Sequence, residues 1–330
     1  MRSGEIILSI VLLCIPGTAS ASDLRQIGMV NLPGAPGFGQ LAFANGVLLL
    51  AHPGAAAVDV FSPTLRRDVA EIVGLTSPRA ITVDEQAGKV YIADHGSKSI
   101  VVVSTDGWKV IGSIPLPSPP DALLLEGAGK LYWTDAEDGA IALLDLHTRQ
   151  TIGTVDIGGP ARNLAFDPAR HLVFATVQDL HQIVALDSQL RIVDRFNLQG
   201  SQPTGLAYDP QYGELYVAVR GAVLAIRADT GAEIDRVQAP EGVDALWLDP
   251  SSHTLYAASE GSLLVMSAKG KLTAVETITP EVKGHTVAFD AAEHLVLLPG
   301  GREGKSKLLI LQPVNAAQAG AAETRDARAR

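Results

Sequence analysis

The residues of this chain that could do chemistry stand at two recurring places, not in one local motif. Arg79, Asp121, Arg162, Asp244 and His285 each open a short apolar run. His52, Asp94, His95, Asp135, Arg220 and Glu260 each stand at or just past the end of another. Imidazoles with a carboxylate could hold Zn²⁺ or another divalent metal ion, and His52, His95, His285 and Asp94 are the candidate set. Their bland reading is solvent-facing loop residues. Asp121, Asp244, Asp135 and Asp94 offer carboxylates for one hard cation, with Arg79 and Arg162 as counter-charges. No Gly-x-Ser-x-Gly, His-Glu-x-x-His or Cys-x-x-Cys occurs. A nucleophile elbow, a metal ribbon and covalent haem therefore have no sequence support, and no catalytic residue is assigned. The glycine pairs Gly158-Gly159 and Gly300-Gly301 do not lead from a strand into a helix, so they are not phosphate loops.

The elements that must position these residues are short strands. Residues 78–116 contain four runs rich in Val and Ile, separated by Asp, Gly and Ser clusters. β-branched residues suit a pleated buried surface, and the breaks suit tight turns. The pattern reads as an antiparallel meander of four strands. Such a sheet is apolar on both faces and needs a copy of itself on each side. The aromatic of the second run recurs as Tyr91, Tyr132, Phe174, Tyr216 and Tyr256, with Val296 in register, at intervals of 41, 42, 42, 40 and 40. The acid closing the first run recurs as Asp84, Glu126, Asp167, Asp209, Asp249 and Asp290. Ala44 and Leu49 mark a weaker copy one period earlier. Two landmarks keeping one period near 40, with four strands per unit, predict an all-β, seven-bladed β-propeller of four-stranded antiparallel blades.

The last repeat, residues 284–311, has only three runs. Residues 26–32 look like a fourth run with no first three. The N-terminal strand is therefore expected to complete the last blade and close the ring. In a propeller the opening of the first strand and the loop after the second face one side, the top. Arg79, Asp94, His95, Asp121, Asp135, Arg162, Arg220, Asp244, Glu260, His285 and His52 are thus the candidate binding residues. His147, His171, His253 and His294 fall in turns of the other side and are expected to be solvated. Trp247, among small residues at its register, reads as a gap-filler.

Residues 1–21 have the layout of a secretory signal: Arg2, an apolar run too short to span a bilayer, then Ala19-Ser20-Ala21 for cleavage. An uncleaved anchor or a lipidated Cys14 is the alternative. Residues 22–314 then form a single propeller, and 315–330 a disordered or weakly helical tail. The expected location is periplasmic or secreted, with no transmembrane helix after cleavage. The full chain carries 26 basic and 36 acidic side chains, a net charge of −10. That balance disfavours nucleic acid as a partner.

Tyr91-Ile92-Ala93-Asp94, Tyr132-Trp133-Thr134-Asp135 and Tyr216-Val217-Ala218-Val219 resemble the Tyr-Val-Thr-Asn repeats of bacterial secreted seven-bladed propellers. Phe166-Asp167-Pro168, Tyr208-Asp209-Pro210 and Leu248-Asp249-Pro250 are similar to the Asp-Pro turn of that family. No copy carries all four letters, so the likeness is to a repeat style. The intact repeat and the missing catalytic signature favour a non-catalytic scaffold whose top face meets a protein, a peptide or a cell-wall component. The alternative is an enzyme with its site at the channel mouth: a metal-dependent, lactonase-like hydrolase or a subunit of a periplasmic oxidoreductase.

Overall fold

The computed structural model of the protein describes residues 24–313, except Ala128 and Ala136. The signal assigned to 1–21 and the tail assigned to 315–330 lie outside the described residues. The architecture is a ring of seven four-stranded antiparallel sheets. Blades 1 to 6 span residues 41–72, 78–115, 120–156, 161–197, 206–238 and 243–278, each a meander with strands in chain order. Blade 7 takes three strands from 288–313 and its fourth from Leu24–Asn31. The closing strand pairs antiparallel with Lys305–Pro313, from Leu24 opposite Pro313 to Asn31 opposite Lys307. The sequence period predicts this closure, and the register carries it.

Burial explains the composition of each strand. The second and third strands of a blade are covered on both faces, as in Lys89–Asp94 and Ser99–Ser104. The outer strand Gln150–Asp156 is mostly exposed. The core is divided among the seams between blades. One seam joins Tyr216 and Ala218 of blade 5 to Val243, Leu255 and Ala257 of blade 6. Burying such a side chain contributes about 1.5–3 kcal/mol, and the seams together hold the ring. The fourth strand of blades 1 to 6 pairs with the third through a register shift. A bulge there adds twist at the outer edge.

The recurrent acid has a local task. Asp167, Asp209 and Asp290 each accept two backbone N–H groups of the hairpin that follows, and Asp84 accepts one from Ala87. An Asx-type bracket of this kind fixes the turn between the first and second strands. Glu126, one carbon longer, instead accepts from the Tyr132 hydroxyl at 2.8 Å.

These hairpins correct one expectation. His253 is buried rather than solvated, with Nδ1 2.9 Å from Asp209 Oδ2 and Nε2 3.1 Å from Gln211. Its ring also packs on Tyr212 at 4.8 Å. The seam to blade 5 covers it. His171 remains exposed. No helix among the described residues is long and apolar enough to cross a membrane.

Candidate functional site

The openings of the first strands converge where the channel meets the top face. Gly39, Arg79, Asp121, Arg162, Asp244 and His285, from six different blades, line one depression of about 180 Å³. A larger pocket of about 830 Å³ adjoins it and shares Asp244 and His285. Its walls come from blades 4 to 7: Gln178, Gln202, Thr204, Arg220, Glu241 and Glu260 are among them. The repeat explains the convergence. Each blade begins its innermost strand at the axis, so one residue per blade reaches the mouth.

Charge in the pocket is divided by blade. Glu241, Asp244 and Glu260 belong to the blade 6 side, and Arg220 to blade 5. The side chains of Glu241 and Glu260 have no hydrogen-bond or ion-pair partner among the described residues. Arg220 Nε donates to Gln202 Oε1 at 3.0 Å, and Arg162 Nε to Gln178 Oε1 at 2.9 Å. Each amide orients a guanidinium while its terminal nitrogens stay available, the geometry that suits an oxyanion. His285 Nε2 donates to Phe38 O at 3.0 Å, and its Nδ1 stands 3.9 Å from Asp244 Oδ2. Arg79 and Asp121 have no side-chain partner among the described residues.

Three other candidates are not available to a ligand. His52 is fully buried. Its Nδ1 lies in hydrogen-bond contact with Asp59 Oδ2 at 2.7 Å, its Nε2 donates to Ala35 O at 2.9 Å, and its ring stacks on Phe38 at 4.1 Å. Asp94, also buried, accepts from Thr76 N, Ser77 N and the Ser97 hydroxyl. Asp135 accepts from the Ser118 hydroxyl and from the N–H groups of Glu137 and Asp138. Each ties down a loop arriving from the preceding sheet, because a buried polar group must be satisfied. His95 is half-buried, and its Nδ1 finds no partner among the described residues. The candidate metal set of His52, His95, His285 and Asp94 therefore does not assemble. Among the described residues no group of three or more His, Cys, Asp or Glu side chains could hold a metal ion.

One arrangement escaped sequence reasoning. Ser306 Oγ lies 3.3 Å from His52 Nε2, so Ser306, His52 and Asp59 line up in the order of a hydrolytic triad. It is not a nucleophilic site. All three residues are buried, and the serine hydroxyl donates to Gly34 O at 3.1 Å. The array joins blades 7 and 1 to the loop between the closing strand and blade 1. Trp247, half-buried, meets Phe43 edge-on at 5.8 Å, the packing role expected of it.

The fold and this mouth define a seven-bladed β-propeller with a polar pocket on its top face. Solved structures share the fold, two of them as follows. A chain of the Kuenenia stuttgartiensis hydrazine synthase has a TM-score of 0.71 and 12% identity, covering 82% of this chain and 94% of that one. A chain of a mitotic checkpoint complex has a TM-score of 0.77 and 13% identity, covering 96% and 99%. At that identity the likeness is one of fold alone. No protein-family model matches the chain, and no curated protein matches it.

Proposed function

We propose that the protein is a non-catalytic binding scaffold that takes a protein or peptide partner on its top face, in the pocket over blades 4 to 7. The observation that carries this reading is the polar pocket itself. Its unpartnered carboxylates, on the blade 6 side, and its amide-oriented Arg220, on blade 5, are non-repeating residues on a repeating frame. Repetition accounts for the strands, and a ligand accounts for the differences. One protein of similar fold is a chain of a mitotic checkpoint complex, which fits a role in assembly. Propellers host unrelated activities, so the site rather than the fold supports the reading.

In this proposal residues 1–21 direct the chain out of the cytoplasm, and the propeller acts in the periplasm or as a secreted protein of the Tyr-Val-Thr-Asn repeat style. Mass spectrometry of the mature N-terminus, with cell fractionation, tests the address; a protein that retains Met1 and an unmodified Cys14 and stays in the cytoplasm refutes it. A photo-crosslinking residue at Gln202, in the pocket, and another at Thr148, on the opposite face, test the surface in cells. Adducts from Gln202 that fade in the Arg220→Ala and Glu260→Ala variants support the top face. Adducts from Thr148 alone overturn it.

A further inference from the structure

On the face opposite the channel mouth, three seams between blades are covered in one way. His171 of blade 4 sets Nδ1 3.4 Å from Glu126 Oε1 of blade 3. The Tyr208 hydroxyl of blade 5 lies against the Asp167 carboxylate of blade 4, and burial together with that carboxylate pushes its pKa up. His253 of blade 6 lies on Asp209 of blade 5 at 2.9 Å. Each time, the acid that ends one blade's first strand receives a ring with an N–H or O–H from the next blade.

The seam between blades 2 and 3 has the acid and lacks the ring. Asp84 Oδ1 accepts from Ala87 N at 2.9 Å, as its counterparts bracket their own hairpins. Its Oδ2 has no partner among the described residues. Blade 3 supplies Leu125 at the register of Tyr208, and Gly129 at the register of His171 and His253. A groove of about 1070 Å³ remains there, walled by Val83, Asp84, Tyr91, Leu125 and Leu146, with His147 at its lip.

Tyr91 adds a donor to the groove. Its side chain is only 4% exposed and lines the groove. The hydroxyls of Tyr132 and Tyr216, at the same register, donate to Glu126 and Glu214. The Tyr91 hydroxyl has no partner among the described residues. Burial, and then the Asp84 charge, push its pKa up, so it keeps its proton and remains a donor. The hydroxyl is open to the groove and its solvent, so it can donate to an occupant.

We propose that the groove between blades 2 and 3 is a docking slot for an extended segment of a partner protein, which inserts a tyrosine or histidine ring against Asp84. The occupant is the one this molecule uses three times at its own seams. The groove has room beyond a single ring, which suits flanking peptide. Residues 1–23 and 314–330 of this chain contain no histidine or aromatic residue, so those segments cannot supply the ring. The slot lies on the other face from the mouth pocket and is independent of the function proposed there.

The test uses the whole protein with isotopically labelled Val and Leu methyl groups. The probes are acetyl-Gly-Ala-Tyr-Ala-Gly-amide, the same peptide with His, and the same peptide with Ala in the central place. The Tyr or His peptide should shift the methyl signals of Val83, Leu125 and Leu146 at millimolar concentration, and the Ala peptide should not. Asp84→Asn should weaken binding about tenfold, the loss of one charge-assisted hydrogen bond. Leu125→Tyr places the chain's own ring in the groove, as Tyr208 does two blades on, and should abolish the shifts at Val83 and Leu146. Unmoved distant methyl signals show that each variant folds; if Leu125→Tyr does not fold, Tyr91→Phe combined with Asp84→Asn replaces it. The proposal is overturned by silent groove methyls, by an equal response to the Ala peptide, or by undiminished binding in the plugged variant. A dimer of the free protein that Leu125→Tyr dissolves would also overturn it, by making a second copy the occupant.

Discussion

Blades 1 to 3 and blades 4 and 5 end their second strands in different chemistries. In the first group the closing residue is His52, Asp94 or Asp135, each buried and hydrogen-bonded to the loop that arrives from the preceding sheet. In the second group it is Val177 or Val219, also buried, and the arriving loop brings a glycine against it. A Cβ on Gly159 would sit 3.2 Å from Val177, and one on Gly200 2.7 Å from Val219. One structural problem, holding a loop over the end of a seam, is thus solved by polar brackets on one side and by close packing on the other. The large pocket lies over the packed side, with Val219 in its lining. At these two strand ends the valine makes no polar bond, and the loops are fastened by side chains from elsewhere, among them Arg195 on Ile157 O and Arg236 on Gln199 O.

The comparison can be broken most forcefully at His52. His52→Ala strands the Asp59 carboxylate in the seam and should cost about 3–5 kcal/mol in denaturant unfolding. A loss under 1 kcal/mol would mean that the bracket carries no weight. Asp94→Ala removes the acceptor of two backbone N–H groups and one hydroxyl and should cost roughly 2–3 kcal/mol, read the same way. On the packed side, Gly200→Ala forces a methyl toward Val219 and should cost about 1–2 kcal/mol. If it stabilises the protein instead, the glycine contact is not what holds that loop.

A smaller effect depends on pH. Asp68, opposite Phe61 in blade 1, has its pKa pushed up to about 6 by burial first, then by repulsion from Asp59 and Glu71. Its folded pKa therefore exceeds the unfolded value near 3.8, and the folded state holds the proton more tightly. The stability this group contributes is present below pH 4 and is lost as pH rises through 6. Asp68→Asn should gain of order 1 kcal/mol at pH 7, discounted for solvent screening, and nothing below pH 4. Unfolding curves of both proteins at the two pH values check this. The least effect on stability is expected at the mouth, where Glu260→Ala should change it by no more than about 0.5 kcal/mol. A larger loss there would turn a binding residue into a structural one.

The ring was legible because its landmarks are enforced locally. The aromatics of the second strands fill seams, and the first-strand acids bracket the hairpin that follows, so both return once per blade. The closing strand was legible because residues 26–32 keep a fourth-strand pattern without a blade before them. The site was legible by position and misread by exposure. Asp94 and Asp135 looked like surface carboxylates, and the donors that bury them, Thr76, Ser77 and Ser118, lie 17 or 18 residues upstream in loops that no local pattern joins to them. The usable signal was the register. Val177 and Val219 occupy the same place, and a position that accepts valine in two blades is buried in the others as well. The contact of Ser306 with His52 spans 254 residues and left no trace in local sequence.

The pairing of Leu24 with Pro313 also sets an order of events. The strand that leads the described chain off the ribosome is the one whose partner is made last. Until Lys305–Pro313 emerges, Leu24–Asn31 has no neighbour to pair with, and the other six sheets stand as an open arc with two exposed ends. Contacts this distant in sequence form slowly. The nascent chain therefore passes through a long interval in which aggregation competes with circularisation. Once shut, the same geometry should make opening slow, because releasing one edge strand exposes the whole arc at once.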